Sequence, residues 1–369
     1  MVMADRDGVK SASGAAAFLT MSGLAHTLVN GVARVPFRKP WQGPSGLLDN
    51  LGHAVTRQAA RTVAGYSLGL PISEFRSMER TVDRLARAVL PPVVGHFGQV
   101  EIETEVIAGV EGIWCRAKDR VQVDDDGDAL PVRATVLYLH GGSFFGSTPM
   151  MYSMFAAALV RISGCEVFIP DFREAPEFPF PAGMHDVADV YRALLDRGVP
   201  AEHLILAGDS SGGGLATSLI QYLHDEGLPA PAALALFSPE VDMDLSRPSI
   251  TENASTDILP WSLSVAPYLR GIQPHDGRVS AVDADMDPAW YPPTFVSWGS
   301  AEMFRDGIEA FADRLHESGV PLKAIEEEGM FHIFPILMPW AEATKRVLRG
   351  LADVAGDHAQ PVHPDRTAS

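Results

Sequence analysis

Four short stretches of the chain carry residues whose types and spacing suit acyl transfer. The first is LILAGDSSGGGLA, residues 204–216, in which Gly208, Ser210 and Gly212 form G-x-S-x-G between a strand-like apolar run and a helical one. So tight a turn crowds its flanks. Glycines relieve the crowding and let Ser210 project from the end of the strand. A serine hydroxyl is a weak nucleophile without a base. Of the twelve histidines, His332 is best placed, in EEEGMFHIFP just past the strand-like PLKAIEE. His185 and His224 fall inside helical patterns, and His53, His203, His316 and His358 have no supporting motif. The imidazole in turn needs a carboxylate to orient it. Glu302 directly follows the strand-like TFVSWG and is the preferred candidate; Asp306, four residues on, is the alternative.

The remaining stretch is ATVLYLHGGSFFGS, where a strand delivers His140, Gly141, Gly142 and Ser143. Side-chain-free positions expose backbone N–H groups. The amides of Gly141 and Gly142, with that of Ser211, are expected to bind an oxyanion, and one such donor contributes about 3 kcal/mol to the transition state. Phe144, Phe145, Phe304 and Phe331 are the candidate walls of an apolar substrate pocket, although any one of them also suits the core. Asp209 is expected to bond nearby backbone. No histidine pair or cysteine cluster has ligand spacing, so neither a metal nor an organic cofactor is expected.

The elements that must position these groups read clearly from about Arg133. ATVLYL, CEVFIP, LILAG, ALALFS and TFVSWG are continuous apolar runs, separated mostly by helical stretches. This pattern predicts an α/β fold, a mostly parallel sheet flanked by helices, with functional groups at the carboxyl ends of the strands. VEIETEVIAG and IWCRAK alternate as antiparallel strands. Residues 1–95 read as helical. In PISEFRSMERTVDRLARAVLPP, Ser73 is the expected cap, Phe75, Met78, Val82, Leu85 and Val89 the buried face, and Pro91 and Pro92 the end. Residues 242–291 break the alternation and read as an excursion over the sheet edge, with one short helix in PWSLSVAPYL. VQVDDDGDALP reads as an acidic loop, and residues 356–369 as a disordered tail.

The net charge of -18 argues against nucleic acid or an anionic membrane as partner. Cys115 and Cys165 read as buried strand residues and fit a reducing, cytoplasmic compartment. From Ser11 to Ala33 there is no charged side chain, and Phe18, Met21, Leu24, Leu28, Val32 and Val35 fall three or four apart. The stripe suits a helix packed on its own protein; its second reading is an amphipathic helix in weak contact with lipid.

Together HGGSF, DFREAPEFPFPA, GDSSGG, SPEVD and GMFH resemble the hormone-sensitive-lipase-like branch of the α/β-hydrolases, over about residues 95–355. The order Ser210, acid, His332 is that family's order. The resemblance implies a serine carboxylesterase for short- to medium-chain acyl esters, with Ser210, Glu302 and His332 as its triad and Gly141, Gly142 and Ser211 as its oxyanion hole. It implies a cap built from residues 1–95 and 242–291 over a catalytic domain of 96–355. A small-molecule ester is the implied partner, and lactones or acetylated amides are the alternatives. The family's dimers imply an edge-strand contact near Pro321–Glu327. Three positions depart from the pattern: Ser143 replaces a third glycine, Phe172 begins a segment that usually reads YRLAPE, and Ile333 follows the histidine where a small residue is common. A ligand receptor of the same fold would lack a member of the triad, and none is missing here.

Overall fold

The computed structural model describes residues 14–33, 35, 47–118, 122–123, 129–130, 134–260 and 264–358. Its helices are α1 (Gly14–Ala33), α2 (Leu47–Leu68), α3 (Ile72–Phe97), α4 (Ser153–Ser163), α5 (Ala182–Asp196), α6 (Ser210–Asp225), α7 (Pro248–Glu252), α8 (Ala266–Leu269), α9 (Arg305–Glu317), α10 (Phe334–Leu337) and α11 (Glu342–His358). Its strands are β1 (Val100–Ile107), β2 (Val110–Ala117), β3 (Gln122–Val123), β4 (Ala129–Leu130), β5 (Thr135–Leu139), β6 (Glu166–Pro170), β7 (Leu204–Asp209), β8 (Ala233–Phe237), β9 (Thr294–Gly299) and β10 (Leu322–Glu327).

Eight strands form one sheet in the order β1-β2-β6-β5-β7-β8-β9-β10. β1, β2 and β6 pair antiparallel, and every pair from β6 to β10 is parallel. The central strands β5, β7, β8 and β9 are buried along their whole length. That is why they read as unbroken apolar runs: helices cover the sheet, so no face of these strands meets water. In an open sheet of this kind loops gather at the carboxyl ends of the strands. Ser210, Ser238 and Ser300 accordingly follow directly on β7, β8 and β9.

The amino-terminal helices pack as a unit, α1 against α2 and α3, and α3 against β1 and α4. α3 departs from the expected form. It runs through Pro91 and Pro92 to Phe97, its N-cap is Pro71 without a side-chain bond, and Ser73 sits inside the first turn. A proline inside a helix costs about 3 kcal/mol. Here Val94, beyond the prolines, is buried in the core, and Lys118 donates to the carbonyl of Gly95. This tertiary packing carries the helix past its expected stop. The buried stripe runs Phe75, Met78, Ala86 and Val94, whereas Leu85 and Val89 are exposed. On α1, Phe18 leaves the expected buried stripe and is 71% exposed, with Leu19 at 68% and Val29 at 67%. Among the described residues no helix is long and apolar enough to cross a membrane.

In the excursion the expected helix shrinks to the single turn of α8, residues 261–263 lying outside the described residues. Of the acidic loop only the short β3–β4 pair is described. α11 continues to His358, past the expected start of the tail at 356, and residues 359–369 lie outside the described residues.

Candidate active site

β7 ends at Asp209 and α6 begins at Ser210, with no residue between them. Ser210 takes φ 50°, a left-handed conformation that a side-chain-bearing residue adopts only when its surroundings hold it there. The tightness of the turn explains Gly212: a Cβ there would run into the carbonyl oxygens of Leu139 and His140 on neighbouring β5 and its loop. The turn aims the Ser210 hydroxyl at the imidazole of His332, with Oγ and Nε2 2.8 Å apart. Ser210 is 5% exposed and His332 is 1% exposed.

Glu302 is fully buried behind the imidazole. Its Oε2 accepts from Ser238 Oγ at 2.7 Å and from the Gly299 N–H at 3.1 Å. Glu302 acts on His332 through hydrogen bonding and charge, although Nδ1 of the histidine and Oε1 of the glutamate lack a well-aligned bond. Burial pulls the His332 pKa down. Hydrogen bonding and charge from Glu302, reinforced by Asp257 and Asp209, outweigh burial and raise it. Burial also raises the Glu302 pKa, against the opposing pull of His332. The alternative acid, Asp306, accepts instead from the Ser249 N–H at 2.9 Å and from Arg305.

The glycine loop after β5 lies beside the serine, and one of its expected donors is already engaged. The Gly141 N–H donates to Asp209 Oδ1 at 3.0 Å, which removes it from the expected oxyanion trio. Asp209 also accepts from Tyr138 at 2.8 Å and Tyr152 at 3.3 Å. Its burial pushes its pKa up to about 6, against these hydrogen bonds. Gly142 has φ 147°, and a Cβ on it would meet the Gly146 carbonyl oxygen. Ser143 and Phe144 follow at φ 56° and 61°.

The four pocket candidates divide. Phe304 stands edge-on to the His332 ring with centroids 5.0 Å apart. Phe144 stacks on Tyr268 at 3.7 Å, and Phe145 is half-buried. Phe331 is 0% exposed and has no surface to offer a substrate, because the core claims it beside the His53 ring of α2. Asp171, Arg173, Glu177, Asp186 and Asp242 read as structural, and the side-chain bonds of four of them agree: Arg173 pairs with Asp186, Glu177 with Arg76, and Asp242 with Arg247.

Three residues of the site carried no assignment from sequence. Ser238 stands at φ 46°, donates to Glu302 and accepts from the Ile333 N–H at 3.0 Å. Asn253 donates to the Glu302 carbonyl at 2.8 Å. Asp257 accepts the His332 N–H at 2.9 Å. Ser238 opens the SPEVD motif, while Asn253 and Asp257 lie in a segment without periodicity. The site also concentrates strained backbone: among the described residues Ser143, Phe144, Ser210, Ser238 and Ile333 are five of the nine non-glycine residues with positive φ.

A family profile described as the alpha/beta hydrolase fold matches residues 136–336. An acetyl-hydrolase of Streptomyces hygroscopicus is 33% identical over 226 residues, 60% of this chain and 74% of that protein. An esterase of Acinetobacter venetianus is 31% identical over 225 residues, 60% and 74% of the two chains. Among solved structures, an esterase from the bacterial hormone-sensitive lipase family superposes with a TM-score of 0.69 at 25% identity, covering 82% of this chain and 98% of that one.

Proposed function

The chain belongs to the α/β-hydrolase family, in its hormone-sensitive-lipase-like branch, and is a carboxylic ester hydrolase; from that premise we propose a serine carboxylesterase acting on short- to medium-chain acyl esters through Ser210, His332 and Glu302. The observation that carries this reading is the 2.8 Å contact between Ser210 Oγ and His332 Nε2 at a left-handed strand-to-helix turn. His332 takes the hydroxyl proton as Ser210 Oγ attacks the ester carbonyl. Glu302 stabilises the imidazolium that forms. The amides of Gly142, Ser143 and Ser211 hold the oxyanion. Ser143 takes the place of Gly141 because the Gly141 N–H is committed to Asp209. The imidazolium protonates the departing alcohol, leaving an acyl-Ser210 ester. Water, deprotonated by His332, then releases the acid and restores the hydroxyl.

The name of the Streptomyces relative, acetyl-hydrolase, supports the short end of the acyl range and leaves acetylated amides as the second substrate class. Cys115 and Cys165, both buried and neither in a disulfide, support a reducing, cytoplasmic setting. The exposed Phe18, Leu19 and Val29 of uncharged α1 support weak lipid contact, and the edge position of β10 supports a homodimer through that strand. A rate profile over p-nitrophenyl esters from C2 to C16 tests the substrate assignment. The expected optimum lies between C2 and C8. A maximum at C16 that appears only above the solubility limit of the ester would replace this reading with a lipase.

A further inference from the structure

Asp257 belongs to none of the motifs, yet it touches both loops that carry the base and the acid. Its side chain is 0% exposed, in the turn that follows α7. Oδ1 accepts the His332 N–H at 2.9 Å and the Ile258 N–H at 2.7 Å. Oδ2 accepts the N–H of Met303, the neighbour of Glu302, at 2.7 Å. One carboxylate therefore bonds the main chain of the β9 loop and of the β10 loop. Bonds from backbone N–H to an ionised acceptor are roughly twice as strong as neutral ones. The flanks of the turn repeat the tie: Asn253 Nδ2 donates to Glu302 O at 2.8 Å, and Thr256 Oγ1 to Ala301 O at 3.1 Å.

The turn is itself gripped from the amino-terminal helices. Arg61 of α2 donates through Nη1 to Ala254 O at 2.7 Å and Asp257 O at 2.6 Å, and Arg57 donates to Thr256 O at 3.0 Å. A line of bonds thus runs from α2, through the 254–257 carbonyls, to both reacting loops. We propose that Asp257 is a positioning residue that fixes the His332 and Glu302 loops relative to one another, and that Arg61 makes this spacing depend on the seating of α2. The proposal rests on reading Ser210, His332 and Glu302 as the reacting set.

Asp257 also presents a negative charge to the imidazole. The charged groups acting on His332 are Glu302, Asp257 and Asp209, with Glu240 also coupled to it from the β8 loop. Replacing Asp257 by a neutral isostere removes one of the charges that favour imidazolium, so the acid limb of kcat/KM moves to lower pH. A merely structural role would not move it.

The test compares the full-length protein with Asp257→Asn and Arg61→Met, measuring kcat and KM on p-nitrophenyl acetate across pH, together with the rate of fluorophosphonate labelling. For Asp257→Asn the expected result is a fall in kcat on the order of 10²-fold, the loss that a displacement of about 1 Å produces, with KM little changed. Its acid limb is expected at lower pH. Arg61→Met is expected to lose about tenfold in kcat, one decade or about 1.4 kcal/mol, with its limb in place because every charge facing His332 remains. Wild-type kcat in a folded Asp257→Asn, or a loss in which KM rises in proportion or the limb stays fixed, would overturn the proposal. Should Asp257→Asn fail to fold, Arg61→Met decides, and unchanged kcat there overturns it. If wild-type labelling needs neither Ser210 nor His332, the reading of the reacting set fails instead; if labelling needs both and Asp257→Asn labels at the wild-type rate, only the positioning role fails.

Discussion

His332 stands under opposed pressures. Burial favours the neutral ring, while Glu302, Asp257 and Asp209 favour the charged one and prevail. A base must be unprotonated to accept the Ser210 proton. A pKa raised above 6.5 therefore delays the active form, and kcat/KM is predicted to fall on acidification at a pH higher than that of an ordinary histidine. Glu302→Gln removes the negative charge beside the imidazole and leaves an amide in its place. Its acid limb is predicted to move to lower pH while kcat falls on the order of 10⁴-fold, as for other triads in which the orienting carboxylate is made an amide. A pH–rate profile of both proteins checks this, and coincident limbs would show that Glu302 does not act on the base.

At the scale of elements, the legible parts were those where one local rule decides. Strands β5, β7, β8 and β9 were readable because burial on both faces leaves uninterrupted apolar runs. The Ser210 turn was readable because its close approach to the β5 loop admits only glycine at 212. Where several segments meet, local rules failed. Nothing in the string HGGS says which amide is free; that depends on Asp209, 68 residues away, reaching the Gly141 N–H. Positive φ at Ser143, Phe144, Ser238 and Ile333 is imposed by tertiary contacts and has no glycine to announce it. Asp257 acts on His332 across 75 residues from a segment without periodicity. Likewise α3 passes its two prolines because packing beyond them outweighs the local stop signal.

The whole molecule carries a net charge of -18 and several buried carboxyls with raised pKa values. Burial pushes Asp209 up to about 6 and Glu240 up to about 7, and it moves Glu79, Glu174 and Glu302 in the same direction. A raised folded pKa contributes stability that is complete below the unfolded value and is lost as pH rises through the folded value. His332 has the same sign. Glu177 and Asp306, which Arg76 on the one hand and the Ser249 N–H on the other hold below the usual range, act oppositely where carboxylates ordinarily titrate. His53, whose pKa burial lowers, is among the described residues a single opposing group inside the interval against several of the first kind. The thermal midpoint is therefore predicted to fall between about pH 5 and about pH 8, each group contributing at most about 1.4 kcal/mol per pH unit, while esterase activity rises over the same interval. Calorimetry across that range checks it, and a midpoint that rises toward pH 8 would show that these carboxyls are not held as described.

Acylation of the Ser210 hydroxyl is the central step of the proposed chemistry. Intact-mass analysis and peptide mapping after fluorophosphonate treatment address this directly. A single adduct is predicted on the peptide containing Ser210 in the wild type and none in Ser210→Ala, with ester turnover reduced on the order of 10⁴–10⁶-fold in that variant. Equal labelling of the two proteins, or turnover retained without the hydroxyl, would contradict it.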